Sequence, residues 1–229
     1  MKVENQLKSR RIDYKLEEDY FYGARFIFEC GYKLKGNPLT LATAATIYHR
    51  FYREVDFSHY DKYLIAATAL YVAGKMSDDY KLRDVINVAH YTLHKSILDL
   101  KDEYWMRRDA LLQAELLVMR VLKFKVDPPE CHRYLLHYLK SLQGWLDRDS
   151  WERVPVAQSS LAFLQDLHHS PQILDATPQD LALACLYITL QSYGLEVAPK
   201  EDWFTALYKD ANLGTIIDTL LELYNKVGN

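Results

Sequence analysis

An all-α fold of two similar lobes is what this sequence predicts, and three observations predict it. Glycine and proline are scarce, eight and seven in 229 residues, and no Val/Ile-rich run alternates apolar with polar residues as a half-buried strand would. Residues 63–74 carry no charge on any face; twelve residues are too few to span a bilayer, so they read as a helix buried on all sides. That feature then returns. Residues 181–188 match residues 65–72 in size and polarity 116 positions later, with the Leu-Tyr pair identical. Two units of roughly 100 residues are too large to be solenoid repeats, which run about 20–50 residues.

The first helix begins near Asp19, with Phe21, Ala24, Phe28 and Gly31 at three- and four-residue steps, and Gly36-Asn37-Pro38 ends it. The second opens after Pro38. Leu41, Ala44, Ala45, Tyr48, Phe51 and Tyr52 form its apolar stripe, and Thr40, Thr43, Arg50 and Arg53 lie on the other side, which predicts an amphipathic surface helix. The uncharged helix follows, and Lys75 at its end can reach the last carbonyls or the surface. A short helix is expected over 81–90, with Asp78-Asp79 capping and charging its start. A long helix over 103–123 carries Leu111, Leu112, Leu116, Met119 and Leu122, and Asp127-Pro128-Pro129 closes the lobe.

The second lobe repeats the plan. A helix over 131–146 turns Tyr134, Leu135, Tyr138, Leu139 and Leu142 inward, and another follows Pro155, 117 residues after Pro38. The last helix, 216–224, is similar to 111–119 at an offset of 105. The expected organisation is an arm over 1–19 and two lobes over 20–128 and 129–229, each of five helices around a buried central one.

Composition narrows the function classes. A net charge of −3 and a pI near 6.2 leave no basic nucleic-acid footprint. Lys2, Lys8, Arg10, Arg11 and Lys15 make the arm basic, and it is read as a solvated terminus. Cys30, Cys131 and Cys185 are odd in number and far apart, and no signal peptide precedes them. A soluble protein of a reducing intracellular compartment, nuclear or cytoplasmic, is expected. Catalytic constellations do not assemble. After Asp78-Asp79, Tyr80, Lys81 and Leu82 stand where a metal-binding carboxylate series would continue, and no phosphate-binding glycine loop or kinase catalytic loop occurs. His168-His169 cannot face one ligand from a helix, and Cys131-His132 with His137 lacks the second pair a zinc site needs, so no enzyme, cofactor, metal or small-molecule substrate is expected. Arg133 and Leu136 have the spacing of a minimal degradation signal, but Leu136 falls among positions read as core.

In the first lobe, residues 25–31, 42–52 and 70–75, followed by 114–124, resemble the cyclin box in four linked motifs in the right order, and the likeness runs over about 21–226. The resemblance implies tandem cyclin boxes and a non-catalytic regulatory subunit that forms a heterodimer with a cyclin-dependent kinase, in cell-cycle or transcription control. Further stretches, 83–88, 123–126 and above all 133–146, are similar to the family branch that implies cyclin-dependent kinase 10 as the partner. In cyclins a Lys closing the third helix and a Glu in the fifth bond to the kinase near its mobile helix; Lys75 and Glu115 match them, with Leu112 and Met119 as apolar neighbours. From the residues alone, an internal Lys75–Glu115 bridge is the alternative reading. Two departures from cell-cycle cyclins stand out. His49 replaces an Asp, so a partner-bonded Arg25 is not assured, and Phe26, with Glu29 three residues on, stands where a Trp lines a substrate-docking groove. The family's fold also admits two other readings, a DNA-binding core like that of general transcription factors and a scaffold that binds a kinase without activating it.

Overall fold

The computed structural model describes residues 12, 14, 21–99, 101–144, 148–195 and 213–228. Ten α-helices lie within them: α1 (Phe21–Lys33), α2 (Pro38–Glu54), α3 (Lys62–Ser77), α4 (Leu82–His94), α5 (Asp102–Val121), α6 (Cys131–Leu142), α7 (Arg148–Arg153), α8 (Val156–Leu167), α9 (Pro178–Ser192) and α10 (Leu213–Gly228). Short 3-10 turns stand at Phe57–His59 and Pro171–Leu174. Among the described residues there is no strand, and no helix is long and apolar enough to cross a membrane.

Local chemistry sets the boundaries. The Asn37 side chain accepts from the Leu39 amide while Pro38 takes the first helical position of α2. Asp61 does the same for Tyr63 at the start of α3, and Thr177 accepts from the Asp180 amide at the start of α9. Asp78-Asp79 belongs to the end of α3 and not to the start of α4. Asp78 is the left-handed closing residue, a conformation Asp tolerates, and Asp79 accepts hydroxyl bonds from Thr40 and Ser77. The α4 N-cap, Lys81, makes no side-chain capping bond, and the helix extends to His94, four residues beyond its expected end.

Each lobe is wrapped on one helix. α3 packs against α1, α2, α4 and α5, and α9 against α6, α8 and α10. Residues 65–70 and 181–186 are buried without interruption, as the charge-free segments predicted. One apolar cluster includes residues up to Val126, and a second begins at Cys131.

Three further expectations are corrected. First, α2 is not a one-sided surface helix, because residues 40–49 are all buried. The second lobe covers the far face, and Thr43 and Thr46 hide their hydroxyls by donating to the carbonyls of Leu39 and Ala42. Second, the inward face of α6 is Leu135, Tyr138, Leu139 and Leu142; Leu136 is exposed, one position off that face. Third, the arm is not wholly solvated. Tyr14 is buried edge-on against Phe26 and Tyr63, and its hydroxyl donates to Glu29. The basic arm residues Lys2, Lys8, Arg10, Arg11 and Lys15 lie outside the described residues, as do Trp145 and Leu146 of the expected 131–146 helix.

Candidate functional site

α3 ends one turn past its buried core, which brings Lys75 out at the edge of the first lobe. α5 runs beside it and is anchored through Tyr104, Leu111, Ala114 and Val118. At about 100° per residue, Glu115, Met119, Leu112, Trp105 and Leu116 follow one another along an arc that starts beside that seam and turns away from it. Lys75 Nζ donates to Glu115 Oε1 at 2.9 Å, so the internal bridge exists. The carboxylate side chain is only 16% exposed against 60% for the lysine, so the acid sits down among the apolar side chains and the cation reaches over it. Hydrogen bonding to Glu115, then its charge, raises the Lys75 pKa above the ordinary lysine value. A pair this exposed contributes only about 0–1 kcal/mol to stability. What it contributes is a fixed carboxylate on an otherwise apolar stripe.

Among the described residues, part of that stripe is left open. Leu116 is 58% exposed and Trp105 55%, with Met106 beside them, while Leu112 and Met119 are half-buried. Sequence reasoning named Leu112, Glu115 and Met119 for the site and counted Leu116 only in the helix's apolar series. It missed Trp105 and Met106. Their signal was available, since two large uncharged side chains in the first turn of α5 lie off the 104–111–118 seam.

Phe26 and Glu29 are placed differently. Phe26 has no exposed surface, and Tyr14 lies edge-on to its ring at 5.5 Å. Glu29 accepts from Tyr14 and Lys33, both at 2.6 Å. Burial works against its ionisation, but the bonds from Lys33 and Tyr14 outweigh burial and hold its pKa below the ordinary value. This chain's own Tyr14 therefore occupies the space over Phe26. His49 is fully buried, and its Nε2 donates to the backbone carbonyl of His168 at 2.8 Å, linking α2 to the end of α8. His137 is exposed and does not approach Cys131; His168 does.

The class these features define is an all-helical protein of two lobes, each built on an uncharged central helix, the first carrying a lysine–glutamate pair in an apolar stripe. Residues 22–127, a little under half of the chain, match the family described as Cyclin, N-terminal domain. It is 25% identical over 216 residues to Cyclin pch1 of Schizosaccharomyces pombe, covering 89% of this chain and 61% of that one. Cyclin-K of Danio rerio is 29% identical over 168 residues, 72% of this chain and 38% of the relative. The chain thus spans less than two thirds of these relatives. The fold is shared with a chain of the yeast RNA Pol II CTD kinase CTDK-1 complex, at a TM-score of 0.68 and 16% identity over 90% of this chain and 64% of that chain. A chain of the yeast TFIIK (Kin28/Ccl1/Tfb3) complex gives a TM-score of 0.54 at 16% identity, over 90% and 84%.

Proposed function

We propose that this chain is a non-catalytic regulatory subunit that binds a cyclin-dependent kinase and stabilises its active conformation. The observation that carries the reading is the Lys75–Glu115 pair set in a partly exposed apolar stripe on α5, within the residues that match the cyclin N-terminal domain. One of the solved assemblies that share its fold is, by its title, an RNA Pol II CTD kinase complex. The mechanism is a population shift. A rigid helical face that binds only the active placement of the kinase's mobile helix draws the kinase toward that state, by as much as the difference in affinity for the two states. Leu112, Leu116, Met119 and Trp105 supply apolar contact area; Lys75 and Glu115 set register through charged hydrogen bonds.

The finer reading is a cyclin of the Q (or M) kind acting on cyclin-dependent kinase 10 in the nucleus or cytoplasm. It rests on the likeness of residues 83–88, 123–126 and 133–146 to that branch. Co-expression with the kinase tests both levels. Glu115→Arg should abolish co-purification with the kinase and its activation, while the helical circular-dichroism signal is kept and stability changes by less than about 1 kcal/mol. Retained binding would remove this face from the proposal. Mass spectrometry of the kinase captured by the intact chain decides the finer reading, and a kinase assay with and without the chain separates an activator from a passive scaffold.

A further inference from the structure

Cys131 is the first residue of α6, His132 follows it, and His168 closes α8. Their side chains converge where the second lobe meets α2. Cys131 Sγ lies 3.6 Å from Nδ1 of His132 and 3.8 Å from Nε2 of His168, and all three donor atoms fall within 4.8 Å of one another. A tetrahedral zinc ion with bonds of about 2.3 Å to sulfur and about 2.0–2.1 Å to nitrogen sets its sulfur–nitrogen edges at about 3.5 Å. The two measured edges are within a few tenths of an ångström of that value.

We propose that Cys131, His132 and His168 form a Zn2+ site, one thiolate and two imidazoles, with the fourth position open to the cleft between the lobes. The donors are oriented for it. His168 Nδ1 donates to the Leu164 carbonyl at 2.7 Å, which fixes the tautomer and leaves the Nε2 lone pair directed at the sulfur. A backbone carbonyl behind a ligating histidine is the usual outer partner in zinc sites. The same residue is held from its other side, because its own carbonyl accepts from His49. Burial keeps both imidazoles in the neutral, ligating form, lowering the His132 pKa to about 4 and that of His168 to about 3. Cys131 and His168 line an open cleft with Arg50, Arg53 and Glu130, which gives an ion and a fourth ligand, such as water, a path in.

Mixed sulfur and nitrogen donors in this geometry favour Zn2+ over hard oxygen-seeking ions such as Mg2+ and Ca2+. Binding balances as one thiol proton released to solvent for each ion bound, with no change in oxidation state. The ion would tie the start of α6 to the end of α8, and through His49 it would stiffen the contact with α2. Without it, the same atoms make a neutral chain of thiol and imidazole hydrogen bonds, so the arrangement has a second state to be tested against.

The test does not depend on kinase binding. The full chain, reduced with a phosphine and stripped with a chelator, is titrated with Zn2+ against a chromophoric competitor and separately with Co2+. The expected result is one equivalent of tightly bound Zn2+, with Mg2+ failing to compete. The Co2+ form should show tetrahedral ligand-field absorption and a thiolate-to-cobalt charge-transfer band. Cys131→Ser should remove that band and weaken Zn2+ binding by about 100-fold or more, since even outer-partner losses cost about 10–100-fold. His132→Gln, at a half-buried position, should weaken binding with an unchanged helical spectrum, which guards against misfolding at Cys131. Absence of competitor-resistant Zn2+, an octahedral Co2+ spectrum, or equal binding by the parent chain and both variants would each overturn the site.

Discussion

Tyr14 shows what a single side chain from the arm does for the first lobe. Its ring packs against Phe26 and Tyr63, its hydroxyl donates to Glu29 at 2.6 Å, and its carbonyl accepts from the Tyr63 hydroxyl. Burial first, then the Glu29 bond and charge, raises the phenol's pKa above its ordinary value, so Tyr14 stays a donor at any physiological pH. Tyr14→Phe removes the bond to an ionised acceptor and should cost about 1–2 kcal/mol in urea unfolding at neutral pH. The sign with pH follows from Glu29, whose pKa is lowered in the fold. Its contribution is complete above the unfolded value of 4.5 and is lost as pH falls through the folded value. The stability gap between parent and Tyr14→Phe should therefore narrow as the measurement moves from pH 7 to below 4.5. A gap that stays constant would mean that Glu29 is not the acceptor that matters. At this scale the sequence was only partly legible. Lys75 and Glu115 were named through the resemblance of their helices to the cyclin box, and from the residues alone only an internal bridge between them was expected. The pairing of Cys131 with His168 could not be read from the sequence, since 37 residues separate them and only the packing of α6 on α8 brings them together.

At the scale of helices, periodicity carried most of the information, and it failed where an element has neighbours on more than one side. The charge-free segments announced α3 and α9 because a helix surrounded by others leaves no room for a charged face. α2 misled because its threonines look polar in sequence yet satisfy themselves on the preceding turn, which lets both faces pack. α7 gave no signal, since six residues are too few to show a period. Close approach is the other determinant, and Gly74 near the end of α3 shows it. A Cβ placed there would stand 2.1 Å from Cδ2 and 2.9 Å from Cβ of Tyr80, which crosses over the helix. The base of that ring cannot swing away as a flexible chain end would. Gly74→Ala should cost about 1–3 kcal/mol by overpacking, despite alanine's better helix propensity. The measurement is the urea midpoint of the full chain. A neutral or stabilising result would show that Tyr80 has room to move, and with it the turn between α3 and α4 that positions Lys75.

Across the whole molecule, the lobes meet through contacts of very different physical worth. Arg53 Nη2 bonds Asp175 at 2.6 Å, but both side chains are more than half exposed, and such pairs contribute about 0–1 kcal/mol. The histidine contacts are of another kind. The His169 ring stacks on Phe28 at 4.2 Å, and His49 donates to the His168 carbonyl out of water. A buried carbonyl that loses its donor incurs the desolvation cost of an unpaired polar group, about 1–3 kcal/mol. The second lobe is thus held to α2 by a neutral hydrogen bond, and the exposed ion pair is secondary. His49→Leu fills similar space without a donor, so it should lower the unfolding free energy by about 1–3 kcal/mol. Asp175→Asn should change it by less than about 1 kcal/mol. His49→Gln, which can still donate from its amide, should recover part of the loss. Urea denaturation followed by far-ultraviolet circular dichroism ranks the three. If His49→Leu were the milder change, the seam would depend on charge, and raising the salt concentration should then weaken it. If the ranking holds, salt should leave the seam nearly untouched, because a neutral bond buried between α2 and α8 has no exposed charge for ions to screen.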